Sequence, residues 1–213
     1  MLINRQQIYI DFSNFDSTQS HISQDVVDDA LNKVQQTFSE VQVDFTLERP
    51  KFGDYSTIEV TNTSTEPGNY WGRAEQSSLD PNDNGQIRLD NIESQIEHLD
   101  ISLDQVSNAI ANSISHEAGH LMGLDHTQDF TRVMGNQVNP NMINHQLTFS
   151  PSEVNVMNSE VNNMHTSPGE ANSMYGENCN LNEDDIYLDH EIEPTGFDSE
   201  ETYDTDGFDF GLG

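Results

Sequence analysis

The segment His116-Glu117-Ala118-Gly119-His120-Leu121-Met122-Gly123-Leu124-Asp125-His126 constrains the fold more than any other part of this 213-residue chain. The residues before it predict a helix. Ser102 and Gln105 form a capping-box pair, and Val106, Ile110 and Ile114 recur every four residues, so the helix runs on into His116. Four residues turn a helix by about 400°, so His116 and His120 leave one face only about 40° apart. Glu117, one residue further on, points into the space beside them. Gly123 can take the left-handed conformation that stops a helix. The chain can then turn back and bring His126 towards the two other imidazoles.

Three imidazoles converging in this way suit Zn²⁺ bound at roughly 2.0–2.1 Å, with the fourth tetrahedral position open to water. Neutral ligands leave the ion its full charge, and water bound to it becomes acidic enough to supply hydroxide near neutral pH. Glu117 is placed to take that proton as a general base and pass it to a leaving amine. A bare H-E-x-x-H also arises by chance in amphipathic helices. Here the second ligand segment, the glycine and an independently predicted helix all agree, so His116, His120 and His126 are the expected metal ligands and Glu117 the expected catalytic residue.

Upstream, apolar and polar residues alternate. Ile8 to Phe12 reads as a strand, and Ser23 caps a helix that carries Val26, Ala30, Val34 and Phe38 on one face. Val41 to Leu47, Tyr55 to Val60, the weaker Tyr70 to Glu75, and Gln86 to Asp90 are further strands. Asp80 to Gly85 is a turn by composition. Ser150-Pro151-Ser152-Glu153 opens a last helix with Val154, Met157 and Val161 as its apolar stripe.

The pattern His116-Glu117-x-x-His120-x-x-Gly123-x-x-His126 resembles the long zinc motif of the metzincin metallopeptidases. Met134, eight residues past His126 in Arg132-Val133-Met134-Gly135, stands at the spacing of the Met-turn in the matrixin branch, where a Met lies beneath the three ligands. Met142 competes for that place at a less matrixin-like spacing. Asn136 stands where the matrixin turn usually has Pro. The resemblance covers about residues 6–166. It implies an α+β fold, a metzincin-like twisted mixed five-stranded sheet with three main helices. The fourth strand would be an antiparallel edge above the cleft, for which Trp71-Gly72-Arg73-Ala74-Glu75 is the counterpart and along which an extended peptide would pair. The implied function is a zinc-dependent endopeptidase acting on a peptide or protein substrate, secreted or extracellular. The matrixins' structural-zinc segment has no counterpart, since no His occurs between His21 and His98. The archaemetzincin branch carries extra Cys-rich zinc-binding elements, and a chain with only Cys179 is not expected to follow it. The alternative from another class is a non-catalytic metal-binding or adhesion module on the same fold, which would have no need of Glu117.

Charge sets the remaining limits. Lys+Arg is 7 against Asp+Glu 38, a formal net charge of -31, which excludes a binder of nucleic-acid phosphates or of anionic membranes. No apolar stretch is long enough to span a bilayer, and Met1 to Ile10 lacks the pattern of a secretory signal. Residues 1–150 hold 22 acidic and 7 basic residues, residues 151–213 hold 16 and none. The division expected is a peptidase domain over 1–176 and an acidic, disordered tail over 177–213, where ordering entropy outweighs the apolar surface available. Abundant acid with little Lys suits high salt, a cation-rich surface or a basic partner, and composition does not separate these. Asp80, Asn82, Asp83 and Asn84 could offer oxygen ligands to Ca²⁺, although a solvated turn needs the same residues. Trp71 reads as packing, Cys179 as an inert thiol, and His21, His98, His145, His165 and His190 as isolated surface residues.

Overall fold

The fold is taken from a computed structural model that describes residues 5–18, 20–63, 70–74 and 82–166. Five strands form one sheet: β1 (Gln6–Asp11), β2 (Val43–Thr46), β3 (Ser56–Thr61), β4 (Gly72–Ala74) and β5 (Asn84–Arg88). Their order is β2-β1-β3-β5-β4. The first four in that order run parallel, and β4 pairs antiparallel with β5 through Gly72↔Ile87, Arg73↔Gln86 and Ala74↔Gly85. The expected mixed five-stranded α+β sheet with an antiparallel edge is what the chain builds.

Period-two alternation decides which face is covered. Ile8, Ile10, Ile58, Val60 and Ile87 all point to one side and are buried. Against that side lie α1 (Gln24–Thr37) and α3 (Leu103–Leu121), which bury Val26, Val27, Ala30, Val34, Ile110, Ile114 and Ala118 in the same core. Burying these apolar stripes is the main driving force, at roughly 1.5–3 kcal/mol for each large side chain. Lys33 joins the two helices. Its ammonium bonds the Asp104 and Asp29 carboxylates at 2.7 and 3.0 Å, while Ser107 Oγ donates to Asp29 at 2.6 Å.

Two elements differ from the sequence expectation. The strand expected over Gln86 to Asp90 begins at Asn84 and ends at Arg88, where α2 (Leu89–Ile96) begins directly. Leu89, Ile92 and Ile96 are buried at helical spacing. The boundary is hidden because Arg88 occupies the N-cap and makes no side-chain cap bond, so no Ser, Thr, Asn or Asp marks it. A short α4 (Pro140–Asn144), capped by the Asn139 side chain, is likewise absent from the sequence expectation. The last helix, α5 (Pro151–Thr166), starts at the expected proline. The acidic segment 177–213 and Cys179 lie outside the described residues.

Helix α3 organises the downstream chain through polar contacts. Asn112, 1% exposed, donates from Nδ2 to the carbonyls of Met142 (2.8 Å) and His145 (2.7 Å), and its Oδ1 accepts from Leu147 N (3.0 Å). Asn108 Nδ2 donates to the Ile143 carbonyl at 3.2 Å. The Asn112 side chain therefore satisfies three backbone groups of the segment around α4. Asn112→Ala is expected to destabilise the chain by about 3 kcal/mol, because buried polar groups lose their partners. Denaturant unfolding of the variant checks this, and a loss below about 1 kcal/mol would show that solvent replaces those bonds.

Candidate metal centre

The helix that carries the motif is buried along most of its length, from Ser107 to Leu121. Asn108, Asn112, His116 and His120 recur every four residues, so they form one polar stripe on it. The upper half of the stripe anchors the chain around α4, and the lower half carries two of the three imidazoles.

The helix ends as the sequence predicts. Gly123 has φ +83°, Gly123 N donates to the His120 carbonyl at 2.9 Å, and Leu124 N donates to the Gly119 carbonyl at 3.0 Å. That pair of bonds is the Schellman termination. It leaves the Leu124 carbonyl facing back to the helix, where it accepts from His120 Nδ1 at 2.8 Å. The chain then runs out and returns: Thr127 N donates to the Met134 carbonyl at 2.7 Å, and Asn136 N to the Thr127 carbonyl at 3.1 Å. A proline at 136, as in the matrixin pattern, could not make the second bond. The return brings the Val133 carbonyl to His116 Nδ1, 2.7 Å away.

Those two carbonyls fix the tautomers. A carbonyl oxygen only accepts, so Nδ1 of His116 and of His120 must carry a proton. In a neutral ring each Nε2 then presents a bare lone pair. His116 Nε2, His120 Nε2 and His126 Nε2 stand 3.1 Å from one another in all three pairings. The bare lone pairs of His116 and His120 repel, and a cation held between them and His126 removes the repulsion. A tetrahedral zinc with Zn–N near 2.05 Å sets its ligands about 3.3 Å apart, so the arrangement fits that ion closely. Among the described residues, these three are the one group of three His, Cys, Asp or Glu side chains gathered tightly enough to hold a metal. Burial also holds the rings neutral. It lowers the His116 pKa to about 3 and the His120 pKa to about 4, and it lowers that of the half-buried His126.

Glu117 is 2% exposed, next to His116 on α3, and burial alone pushes its carboxyl well above the ordinary range. Its side chain lies against β4. A Cβ placed on Gly72 would be 2.5 Å from Glu117 Oε1, so the edge strand and the acid meet with nothing between them. Below the histidines lies Met134, fully buried, whose Sδ and Cε fill the space a Cβ on Gly119 would need. Met142 lies further up the helix, where its carbonyl accepts from Asn112.

The remaining candidates separate. Trp71 is buried and donates from Nε1 to Gln95 Oε1 at 2.8 Å, a packing role. His21, His98 and His145 are exposed and apart from the centre. The side chain of His165, and all of His190, lie outside the described residues. Of the four possible calcium ligands, Asp80 also lies outside them, Asp83 is buried, and Asn84 opens β5 opposite Thr57. That arrangement gives calcium no support. Sequence reasoning missed the parts played by Gly72 and Asn112. The asparagine had a readable signal in the four-residue polar stripe, and the glycine had none.

No family profile matches the sequence, and no curated protein matches it. The likeness is to solved structures. An archaemetzincin from Methanopyrus kandleri superposes with a TM-score of 0.51 at 14% identity, over 75% of this chain and 97% of that one. A zinc-dependent peptidase from Methanocorpusculum labreanum gives 0.49 at 13% identity, over 71% and 100%, and an archaemetzincin from Archaeoglobus fulgidus complexed with malonate gives 0.44 at 14%, over 70% and 99%. The first of these likenesses shows that the fold is archaemetzincin-like. At 14% identity the likeness shows the fold alone and assigns the chain to no branch. Matrixin-like character gains no support from these likenesses.

The neutral histidines make a pH prediction for the metal-free chain. Between pH 6.5 and about 4 the unfolded chain takes up protons at His116 and His120 that the folded chain refuses. Stability from this source is complete above pH 6.5 and is lost as pH falls. At pH 5 the loss from His116 should be about 2 kcal/mol relative to pH 7. With chelator present, the denaturant midpoint should fall further between pH 7 and pH 5 in the parent than in His116→Gln. Equal drops would mean that His116 is not held neutral by the fold.

Proposed function

We propose that the chain is a zinc-dependent endopeptidase. The observation that carries this reading is the set of three Nε2 atoms 3.1 Å apart, with two of the opposite ring protons committed to backbone carbonyls, beside the buried Glu117. The fold likeness to an archaemetzincin supports it. His116, His120 and His126 would hold the zinc. When bound, the ion supplies a Lewis acid that polarises a peptide carbonyl and makes water a competent nucleophile at neutral pH.

The chain's own residues do the rest. Glu117 takes a proton from the attacking water on its carboxylate and delivers it to the nitrogen of the departing amine. Its burial suits this, because a carboxyl raised towards neutrality both accepts and releases a proton readily. Among the described residues β4 is the last strand of the sheet, the position at which an extended peptide could add as a further strand. An edge of that kind accepts the middle of a chain, which favours internal cleavage. Gly123 and the Schellman turn hold the third ligand in place, and Met134 supports the helix beneath.

A non-catalytic binding module is the competing reading. Holding a metal accounts for the histidines but leaves Glu117 unexplained, since a buried carboxyl with no ion partner costs stability. Glu117→Ala is expected to keep fold and zinc content while kcat on a quenched peptide falls by about 10³-fold. Full activity in that variant would give the proton transfer to another group. No cleavage by the parent across a broad peptide library would favour the binding module.

A further inference from the structure

Gly72 sits at a position that its own strand does not explain. Glycine weakens a strand, and in one it marks either a special backbone or a close approach. The first reason is absent: among the described glycines only Gly53 and Gly123 have positive φ, so Gly72 has a conformation open to any residue. The second reason is present. A Cβ on Gly72 would stand 2.5 Å from Glu117 Oε1, 2.8 Å from its Cγ and 2.9 Å from its Cδ. All three atoms belong to one side chain, and that side chain is the acid. By contrast, Gly85 on the neighbouring strand β5 would meet nothing closer than 3.4 Å.

We infer that Gly72 is a positioning residue for Glu117: its missing side chain is the space that the carboxyl occupies, and it sets how close the acid lies to the strand that would hold a peptide. This inference rests on the peptidase reading and adds a determinant to it. The physical chain is short. Helix α3 is fixed in the core by Ile110, Ile114 and Ala118, so its backbone cannot withdraw from β4. The edge strand is fixed by its ladder with β5 and by Arg88 N, which donates to the Trp71 carbonyl at 2.9 Å. Trp71 itself is buried and bonded to Gln95. With both elements held, an added methyl must be met by the one mobile part, the Glu117 side chain. The carboxyl would rotate away from β4, while the histidines, whose rings are tied to Val133 and Leu124, would stay where they are.

The test is a double-mutant cycle of Gly72→Ala and Glu117→Ala on the full chain, read by the denaturant midpoint of the metal-free protein, by zinc content, and by kcat and KM on one quenched peptide. In the parent background, Gly72→Ala should lower the midpoint, keep one zinc, and reduce kcat by about 100-fold, the scale of a displacement near 1 Å, with little change in KM. In the Glu117→Ala background the same substitution should leave the midpoint unchanged or raise it, because the obstacle is gone and alanine suits a strand better than glycine. It should also leave the residual rate unchanged. Should Gly72→Ala alone fail to fold, recovery of the fold in the double variant is the expected result. Equal loss of stability in both backgrounds, failure of both to fold, or an unchanged kcat in Gly72→Ala would overturn the inference. A fully active Glu117→Ala single variant would instead give the proton transfer to another group, and no cleavage of any peptide by the parent would overturn the peptidase reading on which the inference rests.

Discussion

Two hydrogen bonds to backbone carbonyls determine what this molecule can do. His116 Nδ1 donates to Val133 and His120 Nδ1 donates to Leu124, and both carbonyls belong to chain beyond the helix. Each bond fixes a tautomer and a ring plane, and so turns a bare Nε2 towards the same point. Most other features of the centre serve these bonds. The left-handed Gly123 and its Schellman turn deliver the Leu124 carbonyl. The excursion closed between Thr127 and Met134 delivers Val133, and Asn112 holds the chain beyond it to the helix. Orientation of metal-binding imidazoles by their second nitrogen is a general device; here the donors are turned to main-chain oxygens, which cannot titrate.

The acid beside the histidines is governed by a different balance. Burying Glu117 disfavours its charged form, and this lies within a chain that carries a large negative excess. Its place is defined by shape: α3 behind it, and the bare backbone of Gly72 in front. One long buried helix thus sets both a rigid polar frame for the three histidines and a close steric fit for Glu117.

Much of this is legible from sequence because the strongest signals are local. Ser102 and Gln105 cap α3 as expected, Gly123 stops it, and the four-residue spacing alone places two imidazoles on one face. Alternation finds the strands, including the edge strand, and Pro151 marks the start of α5. The features that escape are non-local or unpunctuated. Helix α2 continues from β5 with no capping residue at Arg88, so its start at Leu89 falls inside the expected strand Gln86 to Asp90 and the helix itself goes unread. Lys33 is a cation in the seam between two helices, neutralised by carboxylates on both, which no window of sequence reveals. Gly72 and Glu117 meet across two elements, and that contact exists only in three dimensions.

On the proposed function, Nε2 of His116, His120 and His126 together hold one zinc. Anomalous diffraction on crystals of the full chain, recorded on both sides of the zinc edge, tests it most directly. One zinc peak is expected, about 2.1 Å from Nε2 of His116, His120 and His126, with the Nδ1 bonds to Val133 and Leu124 retained. A zinc peak elsewhere, a centre ligated through Nδ1, or three histidines with no zinc after growth in excess of the metal would contradict it.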